Sequence, residues 1–77
     1  MFKVSVFTIE GPLYSGLARE VCLPTEEEQL SILDFHQPMM ARLTKGEVTI
    51  DQKKSIAILD GIAHFDHHVL NLVVGLA

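Results

Sequence analysis

The feature that most constrains this chain is how short its apolar runs are. Stretches of alternating hydrophobic and polar residues are interrupted by turn formers at intervals of roughly 8–12 residues, the cadence of an all-β sandwich or barrel. Residues 2–9, FKVSVFTI, alternate and are rich in Val, Ile, Phe and Thr, which predicts a strand. Glu10-Gly11-Pro12 then reads as a turn. Residues 13–23, LYSGLAREVCL, resume the apolar spacing with Gly16 as an expected bulge or bend, and Pro24 ends them. Thr44-Lys45-Gly46-Glu47 reads as a hairpin turn into a returning strand at 47–50, and Asp51-Gln52-Lys53-Lys54 as the next turn. A strand is expected at 55–59, a kink or turn at Asp60-Gly61 and a short strand at 62–65. Asp66-His67-His68 is then the tip before a last strand at 69–74. The expected architecture is a two-layer antiparallel β-sandwich, or flattened barrel, of short strands forming one domain over residues 1–77. No linker, low-complexity tract or internal repeat divides it.

Two stretches resist this reading. Thr25 followed by Glu28 is a capping-box pattern, and Leu30 and Leu33 stand at helical spacing, so residues 25–33 taken alone favour a short helix. The alternative is a polar loop over 25–28 feeding a strand at 30–33. Residues 39–43, MMARL, fit helix or strand equally.

A 77-residue chain buries only roughly 60% of its unfolded surface, so its stability is marginal. Yet 48% of its residues are hydrophobic and the mean hydropathy is +0.29, an excess that points to apolar surface covered by a partner, the competing reading being a core that is simply rich. The formal charge is −4, and no basic run is longer than Lys53-Lys54, which argues against nucleic acid and against an anionic membrane surface. No apolar run reaches the roughly 18 residues of a membrane span, and no leader pattern opens the chain. The single cysteine, Cys22, excludes an internal disulfide and reads as a small core residue in a reducing compartment.

Candidate chemistry is sparse. In a strand, His64, Asp66 and His68 fall on one face and are the only metal-ligating candidates; the competing reading is a solvated hairpin tip whose turn splays them apart. The run Glu26-Glu27-Glu28 reads as a solvated acidic loop rather than a catalytic pair, because nothing apolar surrounds it to raise a carboxyl pKa. No nucleophile motif, phosphate-binding glycine loop or zinc spacing is present, so no catalytic residue and no cofactor is expected.

The stretch from Tyr14 to Ile50 carries a family resemblance. Tyr14-Ser15-Gly16, Glu28-Gln29-Leu30-Ser31-Ile32, Phe35-His36-Gln37-Pro38-Met39-Met40, Thr44-Lys45-Gly46 and Val48-Thr49-Ile50 occur in order. As a set they resemble the N-terminal β-sandwich domain of the epsilon subunit of the F-type, rotary ATP synthase. The ending LDGIAHF…VLNLVVGLA is similar to that family's final hairpin with a shortened tip. The resemblance covers essentially the whole chain and implies that 30–33 is a strand, since tertiary context overrides local propensity. It departs where family glycines are replaced by Glu28, Ser31 and Phe35, and where Asp60-Gly61-Ile62 stands for a Ser-Gly-Gly motif. The loops at 25–29 and 34–37 are expected to differ in shape there. The family's C-terminal helical hairpin, regulatory in relatives, is not in this sequence.

The resemblance implies a non-catalytic central-stalk subunit that couples proton-driven rotation of the c-ring to ATP synthesis. By position, Thr8, His36, Met39 and Ala41 are expected to contact the gamma subunit, and Glu28 and Gln29 the polar loops of the c-ring. The implied location is peripheral, on the cytoplasmic face of the inner (plasma) membrane. An adaptor sandwich that binds some other protein is the competing class, and a His-containing metal-binding β-domain is a third.

Overall fold

Period-two alternation places Phe2, Val4 and Val6 on one side of the first strand, and that side is sealed from solvent. The computed structural model describes residues 1–77 as eight strands and no helix. They are β1 (Phe2–Thr8), β2 (Gly11–Ala18), β3 (Glu20–Pro24), β4 (Gln29–Leu33), β5 (Met39–Leu43), β6 (Gly46–Ile50), β7 (Lys54–Asp66) and β8 (Val69–Leu76). The hydrogen-bonded path runs β2-β1-β8-β7-β6-β3-β4, with β5 also on β7. The 13-residue β7 serves two layers. Its first part, Lys54 to Ile58, pairs with β6, and its second, Gly61 to Phe65, pairs with β5. One layer is therefore β2-β1-β8-β7-β5 and the other β7-β6-β3-β4.

Between the layers, seventeen buried hydrophobic residues form one cluster. Its aromatic centre is Phe2 against Phe65, edge-to-face with centroids 5.4 Å apart. Residues 25–33 take the loop-then-strand alternative. As a strand paired with β3, the segment buries Ile32 and packs Leu30 on the core while Leu33 faces solvent. A helix would have turned Leu30 and Leu33 to one side.

The sandwich differs from expectation in particulars. The sheet is not closed, because β2 and β4 are unpaired with one another, so the flattened barrel gives way to an open sandwich. It is also not wholly antiparallel: β1 and β8 run parallel, as strands remote in sequence are free to do. The first turn is Ile9-Glu10, and Gly11 and Pro12 already belong to β2. Pro12 pairs with Phe7 and Tyr14 with Val6, which leaves Leu13 as the extra residue of a bulge on an edge strand, where proline is tolerated. Gly16 is no bulge but pairs regularly with Val4; the chain bends instead at Arg19.

Thr44–Glu47 is a corner, not a hairpin, since β5 and β6 pair with successive parts of β7 rather than with each other. The Thr44 N–H ties this corner to the Pro24 carbonyl at 3.1 Å. Asp60-Gly61 is no turn either: β7 continues through it, with a bulge at Leu59.

The bend at Arg19 is held from across the molecule. Asp51 Oδ1 accepts the N–H groups of Arg19 at 2.8 Å and Glu20 at 2.9 Å. These bonds, to Glu20 first and then Arg19, hold the Asp51 carboxyl below its ordinary value of 3.8 against a smaller opposing effect of burial. A carboxyl depressed on folding contributes stability above its unfolded pKa and loses it as pH falls through the folded value. Wild type is therefore expected to lose stability below about pH 4 more steeply than Asp51→Asn, which keeps an acceptor but no charge. Asp51→Ala, which leaves both N–H groups without their partner, costs about 1 kcal/mol at neutral pH by analogy with helix-cap deletions. Urea melts of the three proteins between pH 3 and 7 measure both effects.

Candidate interaction surfaces

The acidic loop stands at the corner where β3 turns into β4. Thr25 Oγ1 donates to the Glu28 carbonyl and accepts the Glu28 N–H at 3.3 Å. The capping-box signal is thus physically real, but it closes a polar turn rather than starting a helix. The side chains of Glu26, Glu27, Glu28 and Gln29 are left exposed, in a shallow groove whose far wall is Ala41 and Arg42 of β5. A second groove shares Ala41 and Arg42 and continues over Met40, Asp60, Gly61 and Ile62. Acidic loop, guanidinium and an apolar strip therefore adjoin along the free edge of β5.

The other expected contact residues are spread out. Thr8 ends β1 at the rim, with Oγ1 accepting the Glu10 N–H at 3.2 Å. His36 lies at the opposite end of the sandwich, half-buried, its ring edge-to-face with Phe65 at 5.9 Å. Met39 and Ala41 point toward the core side of the β5 edge, half-buried, with Met39 packed on the core cluster. The adaptable methionine on the surface is Met40, 70% exposed. Thr8, His36, Met39 and Ala41 thus do not form one contiguous patch, but none is sealed inside.

His64, Asp66 and His68 do not converge. His67 and His68 both have positive φ and form the two-residue turn between β7 and β8, which carries His68 away from the face of His64 and Asp66. No group of three or more His, Cys, Asp or Glu side chains is placed to hold a metal ion. Asp66 instead faces His67 Nδ1 at 3.2 Å, and the His68 ring meets Phe35 edge-to-face at 5.5 Å. The turn geometry, not the strand period, decides their positions.

Phe35 takes a left-handed backbone conformation of the kind glycine adopts freely, with φ at 64°. It is 86% exposed, so burial returns little for a left-handed backbone that costs an L-residue about 1–2 kcal/mol. Phe35→Gly is expected to stabilise the fold by about 0.5 kcal/mol, after the greater freedom of glycine in the unfolded chain is deducted. A rise in denaturation midpoint at unchanged slope is the check.

The whole chain, residues 1–77, matches the family model described as the ATP synthase delta/epsilon chain β-sandwich domain. Among curated proteins it is similar to ATP synthase epsilon chain 2 of Ralstonia nicotianae, 35% identical over 68 residues, covering 83% of this chain and 49% of that protein. It is also similar to the epsilon chain of Thioalkalivibrio sulfidiphilus, 31% identical over 81 residues, covering 99% of this chain and 57% of that protein. The chain spans about half the length of these relatives. In solved structures, the fold is similar to a chain of the Tetrahymena thermophila mitochondrial ATP synthase central stalk and c-ring. That match has a TM-score of 0.76 at 13% identity and covers 95% of this chain and 62% of that one. A chain of the Euglena gracilis mitochondrial ATP synthase also reaches a TM-score of 0.76, at 19% identity, with 92% and 48% covered. The curated relatives are epsilon chains, a non-catalytic subunit type of the complex. With the strand order, the open two-layer sandwich and a match over its full length, this chain belongs to the ATP synthase delta/epsilon chain β-sandwich family.

Proposed function

We propose that this domain acts in the central stalk of a rotary ATP synthase, where it binds the gamma subunit and the c-ring and passes rotation between them. The observation that carries the reading is the family match over residues 1–77. The acidic loop supports it, since Glu26, Glu27 and Glu28 project from the rim as a charged contact for the basic polar loops of a ring. The body also suits a mechanical role. A close-packed two-layer core resists deformation, so force applied at one rim reaches the other. The gamma subunit would be met by Thr8, His36 and the β5 edge at Met39 and Ala41, and the ring by Glu28 and Gln29. The domain would sit at the cytoplasmic face of the inner (plasma) membrane, peripheral to it, in a reducing compartment.

The test is association with the cognate gamma subunit and a detergent-solubilised c-ring. Glu28→Lys is expected to weaken ring binding about three- to tenfold, mainly through the association rate and most at low salt, while leaving gamma binding unchanged. Failure of the wild-type domain to bind either partner would overturn the proposal.

A further inference from the structure

The two outer faces of the sandwich differ in kind. On the β7-β6-β3-β4 layer, the cross-strand row Ser31–Cys22–Thr49–Ser55 is polar or small, with Cys22 Sγ 3.5 Å from Ser31 Oγ. On the β2-β1-β8-β7-β5 layer, the row Phe7–Val73–Ile62 is apolar and exposed, Val73 by 58% and Ile62 by 53%. The row ends on Pro12 and Arg42, while Leu17 beside Lys3 and Met40 beside His64 add exposed apolar surface at the flanks. The strand β8 lies in the middle of this five-stranded layer.

The register of that layer makes it complementary to itself. A two-fold axis along β8 lays β1 of one copy over β7 of the other at the same height. Lys3 pairs across β8 with Val69 and so stands level with Asp66. Phe7 pairs with Val73 and so stands level with Ile62. The axis therefore opposes Lys3 to Asp66 twice and Phe7 to Ile62 twice, and sets Val73 against its own copy. An axis across the strands would instead put the Lys3 row on the Phe7 row and lose both matches. Five strands about 4.8 Å apart and about seven residues long present about 550 Å² per copy. Two such faces bury at most about 1,100 Å², the size of the small, transient interfaces that fall below about 1,200 Å². Sheets packed face to face cross at about 30°, so the pairs nearest β8 hold while the corners diverge.

We propose that the free chain forms a two-fold dimer through the outer face of the β2-β1-β8-β7-β5 layer, held by Phe7, Val73 and Ile62 and set in register by Lys3 against Asp66. The interface is of the small, reversible class.

Sedimentation equilibrium of the chain alone is the test. Mass should rise from 8.6 kDa toward twice that value as concentration increases from about 1 to about 500 μM. Lys3→Glu and Asp66→Lys should each weaken association at least tenfold, because each sets like charges together twice. The double variant Lys3→Glu/Asp66→Lys should restore it. Val73→Asp puts two carboxylates on the axis at an exposed position; it should leave the fold intact by circular dichroism and the chain monomeric throughout. A wild-type chain that stays monomeric at about 500 μM overturns the proposal. So does a Val73→Asp variant that still dimerises, or a charge swap that does not recover association.

Discussion

Phe65→Ala is expected to leave this domain largely unfolded at 37 °C. Phe65 is almost fully buried, and its ring packs edge-to-face within the core against Phe2, centroids 5.4 Å apart. Truncating a buried phenylalanine costs about 3–5 kcal/mol, from lost transfer energy and from a cavity the neighbours only partly close. A chain of this size has about 4–12 kcal/mol of stability in total. The substitution thus removes a quarter or more of it, and most or all of it at the lower bound. The effect reaches the proposed gamma contact as well, because the Phe65 ring also meets the His36 imidazole edge-to-face at 5.9 Å. Phe65→Leu retains most of the volume and should cost less than half as much. The readout is the denaturation midpoint for both variants, with gamma binding measured on whichever remains folded. A midpoint for Phe65→Ala within about 1 kcal/mol of wild type would mean that the core does not depend on this pair.

The strand content of the fold was legible because hydrophobic alternation is a local property. Phe2, Val4 and Val6, or Leu70, Leu72 and Val74, announce a buried side wherever the period is two. What alternation does not encode is which strands pair. Nothing near Val69 specifies a parallel neighbour 66 residues upstream, and nothing in Thr44-Lys45-Gly46 distinguishes a hairpin from a corner. Turn residues proved ambiguous for a related reason. Gly11 and Pro12 are turn formers by habit, but an edge strand with a bulge accommodates both, so the turn moved to Ile9-Glu10.

The candidate contact residues were legible as residue types and less so as an arrangement. The acidic loop is where the sequence puts it, because a polar run after Pro24 has nowhere to go but the surface. Met40 rather than Met39 is the exposed member of its pair, which depends on the direction β5 faces and hence on its register with β7. The histidines went the other way. Counting along a strand gathered His64, Asp66 and His68 on one side, and the positive φ values at 67 and 68 undid it.

Gly61→Ala is expected to cost about 2–3 kcal/mol, although Gly61 has no positive φ and lies within β7. A methyl group built there would approach the Val73 carbonyl oxygen to 2.7 Å, Val74 Cγ1 to 2.9 Å and Val74 Cα to 3.2 Å. Two of these atoms are backbone of β8, so the clash cannot be relieved by rotating a side chain, and overpacking of this kind costs about 1–3 kcal/mol. The crowding has a cause in the topology. Just before Gly61 the bulge at Leu59 shifts the register against β8, and β7 leaves β6 for β5 at that point. The bend presses β7 onto β8, and only a residue without Cβ leaves room. Moving the backbones apart would loosen the junction on which both layers depend, so stiffness between the two rims should fall together with stability. Gly75→Ala supplies the contrast. A methyl group at position 75 meets only the Asp60 carboxylate, its oxygen at 2.6 Å, on a side chain free to swing toward solvent. It should therefore cost well under about 1 kcal/mol. Equal destabilisation by the two alanines, in parallel urea melts, would show that the bulge is not what makes position 61 intolerant of a side chain.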